Sequence, residues 1–266
     1  MWKHYSWNFF LKRLPSTLIL FVLFCPTEFL WGGNVAWFYA LDSDKAAFES
    51  SSGPPTRTTT LPGGTVVSEY RVGPHKIVAA KMGSGCVSTA VTVARVLALN
   101  PVDRVISTGP AGGIGDLVKR GDWLIIGEVT AWQQGRAGEG GRIFSAEHAV
   151  KRVGTILTDW PAGEWQTMQE VKLVSGEVFV ASSEKRGELA REFQAQIVEM
   201  NSFGLLAALE GTNTKVLILR VVSDLADEQA SEDFSRVSKN RKGRRRANGR
   251  RIGQKTAGRQ RRARSA

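Results

Sequence analysis

Leu219–Asp227 reads LRVVSDLAD. The segment is strand-forming up to Val222 and then meets Ser223 and Asp224, residue types at which a backbone leaves a sheet. In open α/β sheets ligands sit beyond the carboxyl ends of the strands, so an acid at that point is placed for chemistry. The same residues also suit the start of a helix, where the Asp would serve only as a cap. Taken alone, the segment leaves both readings open.

Two other segments bear on the choice. Val105–Ile114, VISTGPAGGI, is a strand ending in a Gly/Pro/Ala loop whose backbone can approach a ligand closely, because little side chain intervenes. Ile197–Ala208, IVEMNSFGLLAA, places Glu199, Met200 and Asn201 ahead of a helix of small and apolar residues, and Val174–Ser182, VSGEVFVAS, lies between the two. Further strands are expected at Val35–Leu41, Arg104–Thr108, Asp122–Val129, Lys172–Phe179 and Lys215–Val222, with a hairpin of Thr65–Val72 and Lys76–Met82 around Gly73 and Pro74. Helical spacing covers Ser88–Leu99 (through Val91, Ala94, Val96 and Leu97), Ala146–Trp160 and Glu184–Glu192. Asp42–Ser52 reads as a helix or turn with Ala46, Ala47 and Phe48 inward. Gly53–Gly64 reads as a loop, and the polar, Gly-rich Gln133–Gly141 as a mobile one. Strands alternating with helices predict a three-layer α/β domain around a central mixed, largely parallel twisted sheet.

Taken in order, VISTGPAGGI, VSGEVFVAS, VEMNSFG and RVVSDLAD resemble the purine nucleoside phosphorylase and nucleosidase superfamily, and within it the methylthioadenosine/S-adenosylhomocysteine nucleosidases. The resemblance spans Val35–Phe234 and implies a nucleoside-phosphorylase-like fold, a purine nucleoside as ligand, no cofactor, a homodimer and a cytoplasmic location. It implies that Asp224 is the general acid at purine N7, kept protonated by partial burial, with Ser223 orienting it. Asp44 stands where the nucleosidases carry a Glu that positions water, one methylene short, and Asp42 is a possible substitute. Pro110, Ala111 and Gly112 line the ribose end. Phe179 stacks on the base, unless it is plain core, and the Val180 backbone reads the base edge. Met200 lies under the sugar with Glu199 beside it, and Asn201 replaces a Glu that holds the ribose hydroxyls.

The family's phosphorylases carry an Arg at the place of Ser107, and Arg104 is the nearest cation along the strand. Water is therefore the expected acceptor. A phosphate-dependent phosphorylase and a nucleoside-binding member without turnover are the alternatives.

Composition suits one globular domain: 266 residues, 42% hydrophobic and 23% charged. Cys25 and Cys86, and the scattered His4, His75 and His148, show neither a disulfide framework nor metal-ligand spacing, so no metal is expected. The net charge of +11 comes from the end of the chain. Residues 235–266 hold 14 Lys/Arg and no Asp/Glu, and without them the charge is −3. That tail is expected to be disordered and suited to weak polyanion binding; its lack of apolar periodicity departs from the closing amphipathic helix of the family, as an out-of-frame end would. Residues 1–34, in which basic residues precede Leu18–Cys25 (LILFVLFC), read as a secretory signal, a membrane anchor or an upstream extension, which leaves membrane association and export open. The domain proper is expected at 35–234.

Overall fold

The computed structural model describes residues 33–137, 143–145, 150–153 and 168–237. The N-terminal apolar run, most of the basic tail and the greater part of Ala146–Trp160 lie outside them. Among the described residues, no helix is long and apolar enough to cross a membrane.

The chain folds in the order β1 (Asn34–Tyr39), α1 (Asp42–Ser52), β2 (Arg57–Thr60), β3 (Val66–Val72), β4 (His75–Lys81), α2 (Cys86–Leu99), β5 (Arg104–Gly113), β6 (Trp123–Ala131), β7 (Gly135–Ala137) and β8 (Ile143–Ser145). It continues with β9 (Val150–Arg152), β10 (Gln169–Ser175), α3 (Ser183–Phe193), β11 (Ile197–Glu199), α4 (Ser202–Ala208) and β12 (Lys215–Asp224). A last helix, α5, occupies 230–237.

The main sheet is mixed, in the order β11-β10-β6-β12-β5-β1-β4-β3-β2, with β9 added on β6. Strand β11 runs parallel to β10 and also pairs antiparallel with β5, so one half of the sheet curls back on itself. Strand β1 lies between β4 and β5, parallel to both, and is buried on both faces. Its alternation divides the interior. Ala36 and Phe38 join Val93 and Val96 of α2 and Leu205 of α4 on one side. Val35, Trp37 and Tyr39 join Phe48 of α1 on the other. This is the expected layered α/β arrangement, with helices on both faces.

Several expectations change. The GPAGG segment is strand and not loop: β5 continues to Gly113 because β12 runs beside it as far as the Asp224↔Gly112 pair, and β11 pairs with Gly112 and Gly113. Arg57–Thr60, within the expected Gly53–Gly64 loop, is the edge strand β2, as its β-branched threonines favour. Val150–Arg152 is strand and not helix. It pairs with Glu128–Thr130, beyond the Trp123–Ile125 stretch of β6 that β12 reaches, and so supplies partners for backbone groups left open there. Strand β10 stops at Ser175, which leaves Phe179 on a loop. On α2 the buried face is Thr89, Thr92, Val93 and Val96, while Val91 is exposed. Part of the expected mobile loop forms β7, paired with β8. Finally, a helix does begin after Asp227: α5 buries Ala230 and Asp233 and carries Phe234, crossing the expected domain end at 234.

Candidate active site

The parallel strands β1, β4, β5 and β12 end on one side of the sheet, and Ser175 at the end of β10 reaches Cys86, which follows β4, at 3.3 Å. The Ala40 N–H donates to Thr108 O at 3.1 Å and the Met82 N–H to Tyr39 O at 2.8 Å. A side chain at Gly109 would meet Ala40 Cβ at 2.8 Å, so only glycine allows this approach.

Asp224 is the last residue of β12 and is 1% exposed. Its Oδ1 accepts the Ala226 N–H at 3.0 Å, and its Oδ2 lies 2.8 Å from Ser223 Oγ. Ser223 Oγ is also 3.2 Å from Ala111 O. One hydroxyl hydrogen cannot serve both acceptors. With Asp224 protonated, the carboxyl can donate to Ser223 while Ser223 donates to Ala111; with Asp224 ionised, Ser223 turns to the carboxylate. Burial raises the Asp224 carboxyl above its ordinary value, against the opposing hydrogen bonds from Ser223 and Ala226. Asp224 therefore does not cap the following helix. It ends a strand, and Ala226 behind it holds a positive φ of 53°, a conformation costly for a residue with a Cβ and characteristic of functional turns.

Gly112 faces this carboxyl. A Cβ there would lie 2.9 Å from Asp224 Oδ1 and 3.1 Å from Ala226 Cβ. Gly112→Ala is expected to displace the acid and lower kcat at least ~10-fold, since misplacement on the order of 1 Å costs up to about 10²-fold. Steady-state rates of a variant with an unchanged circular dichroism spectrum test this.

The structure adds a residue that the sequence reading passed over. Arg220, also on β12 and 1% exposed, sends Nε and Nη2 to Glu199 Oε2 at 3.2 and 3.0 Å. It also reaches Ser202 Oγ at 2.7 Å, Ser107 Oγ at 3.1 Å and Leu219 O at 3.0 Å. Glu199 further accepts the Ser202 N–H. The cation nearest Ser107 is thus Arg220 from the neighbouring strand, and not Arg104. Its signal in the sequence was a lone charge within the apolar run Val216–Val222.

The other expected residues are distributed around this centre. Asp44 is buried in the first turn of α1, where its Oδ2 accepts the Leu41 N–H at 3.2 Å. It follows β1, which β5 separates from β12. Asp42 is exposed and paired with Lys81, 3.0 Å away, and so is turned from the interior. Ala111 is buried and Pro110 partly so. Asn201 Nδ2 donates to Gly83 O at 2.6 Å and to Thr89 Oγ1 at 2.7 Å. Met200 is half-buried beside it, and Val180 is buried. Phe179 is 42% exposed, so it is not core. Its ring meets that of Phe234 on α5 at 5.8 Å, edge to face. Phe234 is a second residue the sequence reading did not select.

Cys86, near Ser175, is a neutral thiol, since burial pushes it up to about 11. A cavity of about 610 Å³ beside Thr214 and Lys215 lies where β12 begins, at the opposite end of the strand from Asp224.

Residues 40–250 match the family described as the phosphorylase superfamily. The chain belongs to the phosphorylase superfamily. This superfamily member is 26% identical over 188 residues to a 5'-methylthioadenosine/S-adenosylhomocysteine nucleosidase of Haemophilus influenzae, across 67% of this chain and 80% of the relative. It is 25% identical over 171 residues to the nucleosidase of the same name from Staphylococcus aureus, across 60% and 73%. Among solved structures, the Neisseria meningitidis nucleosidase in complex with methylthio-immucillin-A shares 27% identity at a TM-score of 0.63, covering 76% of this chain and 90% of that one. Futalosine hydrolase of Helicobacter pylori, at 21% identity, shares the fold with a TM-score of 0.68 over 79% and 93%.

Proposed function

We propose that the chain hydrolyses the N-glycosidic bond of adenine-type nucleosides such as methylthioadenosine and S-adenosylhomocysteine. As the C1′–N9 bond breaks, its electron pair passes to the purine, and Asp224 gives its proton to N7, so the base leaves neutral. Water adds to the oxocarbenium-like C1′ and its proton goes to Asp44. The products are adenine and the free sugar. Phe179, with Phe234 behind it, is proposed to stack on the base and the Val180 backbone to read its edge, while Pro110, Ala111, Gly112, Met200 and Asn201 border the sugar. Ser223 is a positioning residue for Asp224, and Glu199 acts through Arg220.

The observation that carries the acid role is the burial of Asp224 at a strand terminus with its carboxyl raised. Water is preferred to phosphate because a guanidinium has five N–H donors, and the five contacts of Arg220 with Glu199, Ser202, Ser107 and Leu219 use all of them. At the amino end of α2 a carboxylate already stands where an anion would bind: Glu177 Oε1 accepts the Val87 N–H at 3.0 Å. The guanidinium has no donor left for a phosphate, and the Glu177 charge opposes one at α2.

Adenine release from both nucleosides, followed with and without inorganic phosphate, tests the reading. Equal rates in the two conditions, with free sugar and no sugar phosphate, are expected. A strict requirement for phosphate would replace hydrolysis by phosphorolysis. Tight nucleoside binding without turnover would make the chain a binding protein.

A further inference from the structure

Asn201 stands at the turn between β11 and α4 with its amide orientation fixed. Gly83 O can only accept, and Thr89 Oγ1 donates its own hydrogen to that same carbonyl at 3.2 Å, so it presents a lone pair to Asn201. Both partners require the nitrogen of the amide, which turns Oδ1 the other way. Among the described residues no hydrogen bond reaches Oδ1, and it is not among the buried polar atoms without a partner, so it faces solvent.

The strand that leads into Asn201 lies beside the acid. Three residues before it, Val198 pairs with Gly112, which in turn pairs with Asp224. The carboxylate closest in sequence, Glu199, is committed to Arg220 and to the Ser202 N–H. A sugar lying between Asp224 and the β11–α4 turn therefore meets one neutral oxygen at residue 201.

We propose that this site reads the sugar through the single neutral acceptor of Asn201 and consequently takes deoxynucleosides, lacking one sugar hydroxyl, almost as readily as ribonucleosides. The inference rests on the nucleosidase reading above. A hydroxyl donating to a carboxylate contributes about 10- to 150-fold to affinity, whereas one donating to a neutral amide oxygen contributes about 2- to 10-fold. A carboxylate also offers two oxygens, one for each hydroxyl of a vicinal diol.

The experiment compares kcat/KM for adenosine, 2′-deoxyadenosine and 3′-deoxyadenosine with the full chain. The 3′-deoxy substrate is the stricter arm, because it leaves the carbon next to the reacting centre unchanged. Each deoxy substrate is expected to fall within ~10-fold of adenosine, and Asn201→Glu to widen the gap by ~10-fold or more. A loss of 100-fold or more on either deoxy substrate by the parent overturns the inference while leaving the nucleosidase reading standing. No adenine from any of the three, nor from methylthioadenosine, overturns the reading and the inference with it.

Discussion

Asp224→Asn is expected to lower kcat by about 10²- to 10⁴-fold, the usual contribution of a positioned acid, with a much smaller effect on KM. The amide keeps the shape and can still meet Ser223 Oγ and the Ala226 N–H, but it has no acidic proton for the purine. The same substitution is expected to stabilise the fold at neutral pH. Burial holds the folded-state carboxyl above its ordinary value of 3.8, the value it has when unfolded. Between these values the folded chain carries a proton that the unfolded chain lacks, so stability falls as pH rises from 3.8 through the folded value, and the loss is complete above it. Asparagine has nothing to ionise and escapes this penalty. Thermal melts at pH 7 and at acid pH should show the variant melting higher than the parent at pH 7, by about 2–4 °C for each kcal/mol relieved, with the difference shrinking on acidification. Equal turnover by the variant would remove Asp224 from the acid role; a lower melting point at pH 7 would show that the proton is not held in the fold.

The largest loss of stability is expected from Arg220→Met. The guanidinium is enclosed, and removing it leaves the Glu199 carboxylate, 3.0 Å away, buried with little beyond the Ser202 N–H to offset its charge. Breaking one side of such a pair costs about 3–5 kcal/mol. Replacing both partners by apolar residues, as in Glu199→Leu with Arg220→Met, removes the stranded charge and should recover a large part of that loss. Denaturant midpoints for the two single variants and the double variant test this. If the double variant loses the sum of the singles, the pair contributes nothing through mutual compensation.

Much of the frame was legible without coordinates because it rests on local rules. Strand residues of period two, helices with buried positions three and four apart, and a Ser-Asp pair at the end of an apolar strand each leave a mark within ten residues. β12, α1, α3 and the β3–β4 hairpin therefore fall close to where the sequence puts them. The motif order pointed to the superfamily for a related reason: a site at strand ends is assembled from short segments, each of which carries part of its signature.

What failed depended on partners distant in sequence. Gly109–Gly113 reads as loop from its composition, yet becomes strand because β12 and β11 supply its hydrogen bonds. Val150–Arg152 becomes strand because β6 has unfilled backbone groups beside it. The α5 helix is too short and too close to the basic run for its periodicity to stand out.

The sequence by itself determined the layered α/β class, a Ser-Asp pair at the end of β12 and a neutral amide at residue 201, since these follow from residue identity and local period. Only the tertiary structure decided that Arg220 meets Glu199 and Ser107, that the Asn201 amide turns its oxygen outward, and that Asp224 is enclosed. Each of these is fixed by groups from other strands and helices, and hydrogen bonding and desolvation depend on neighbours in space that a linear pattern does not contain.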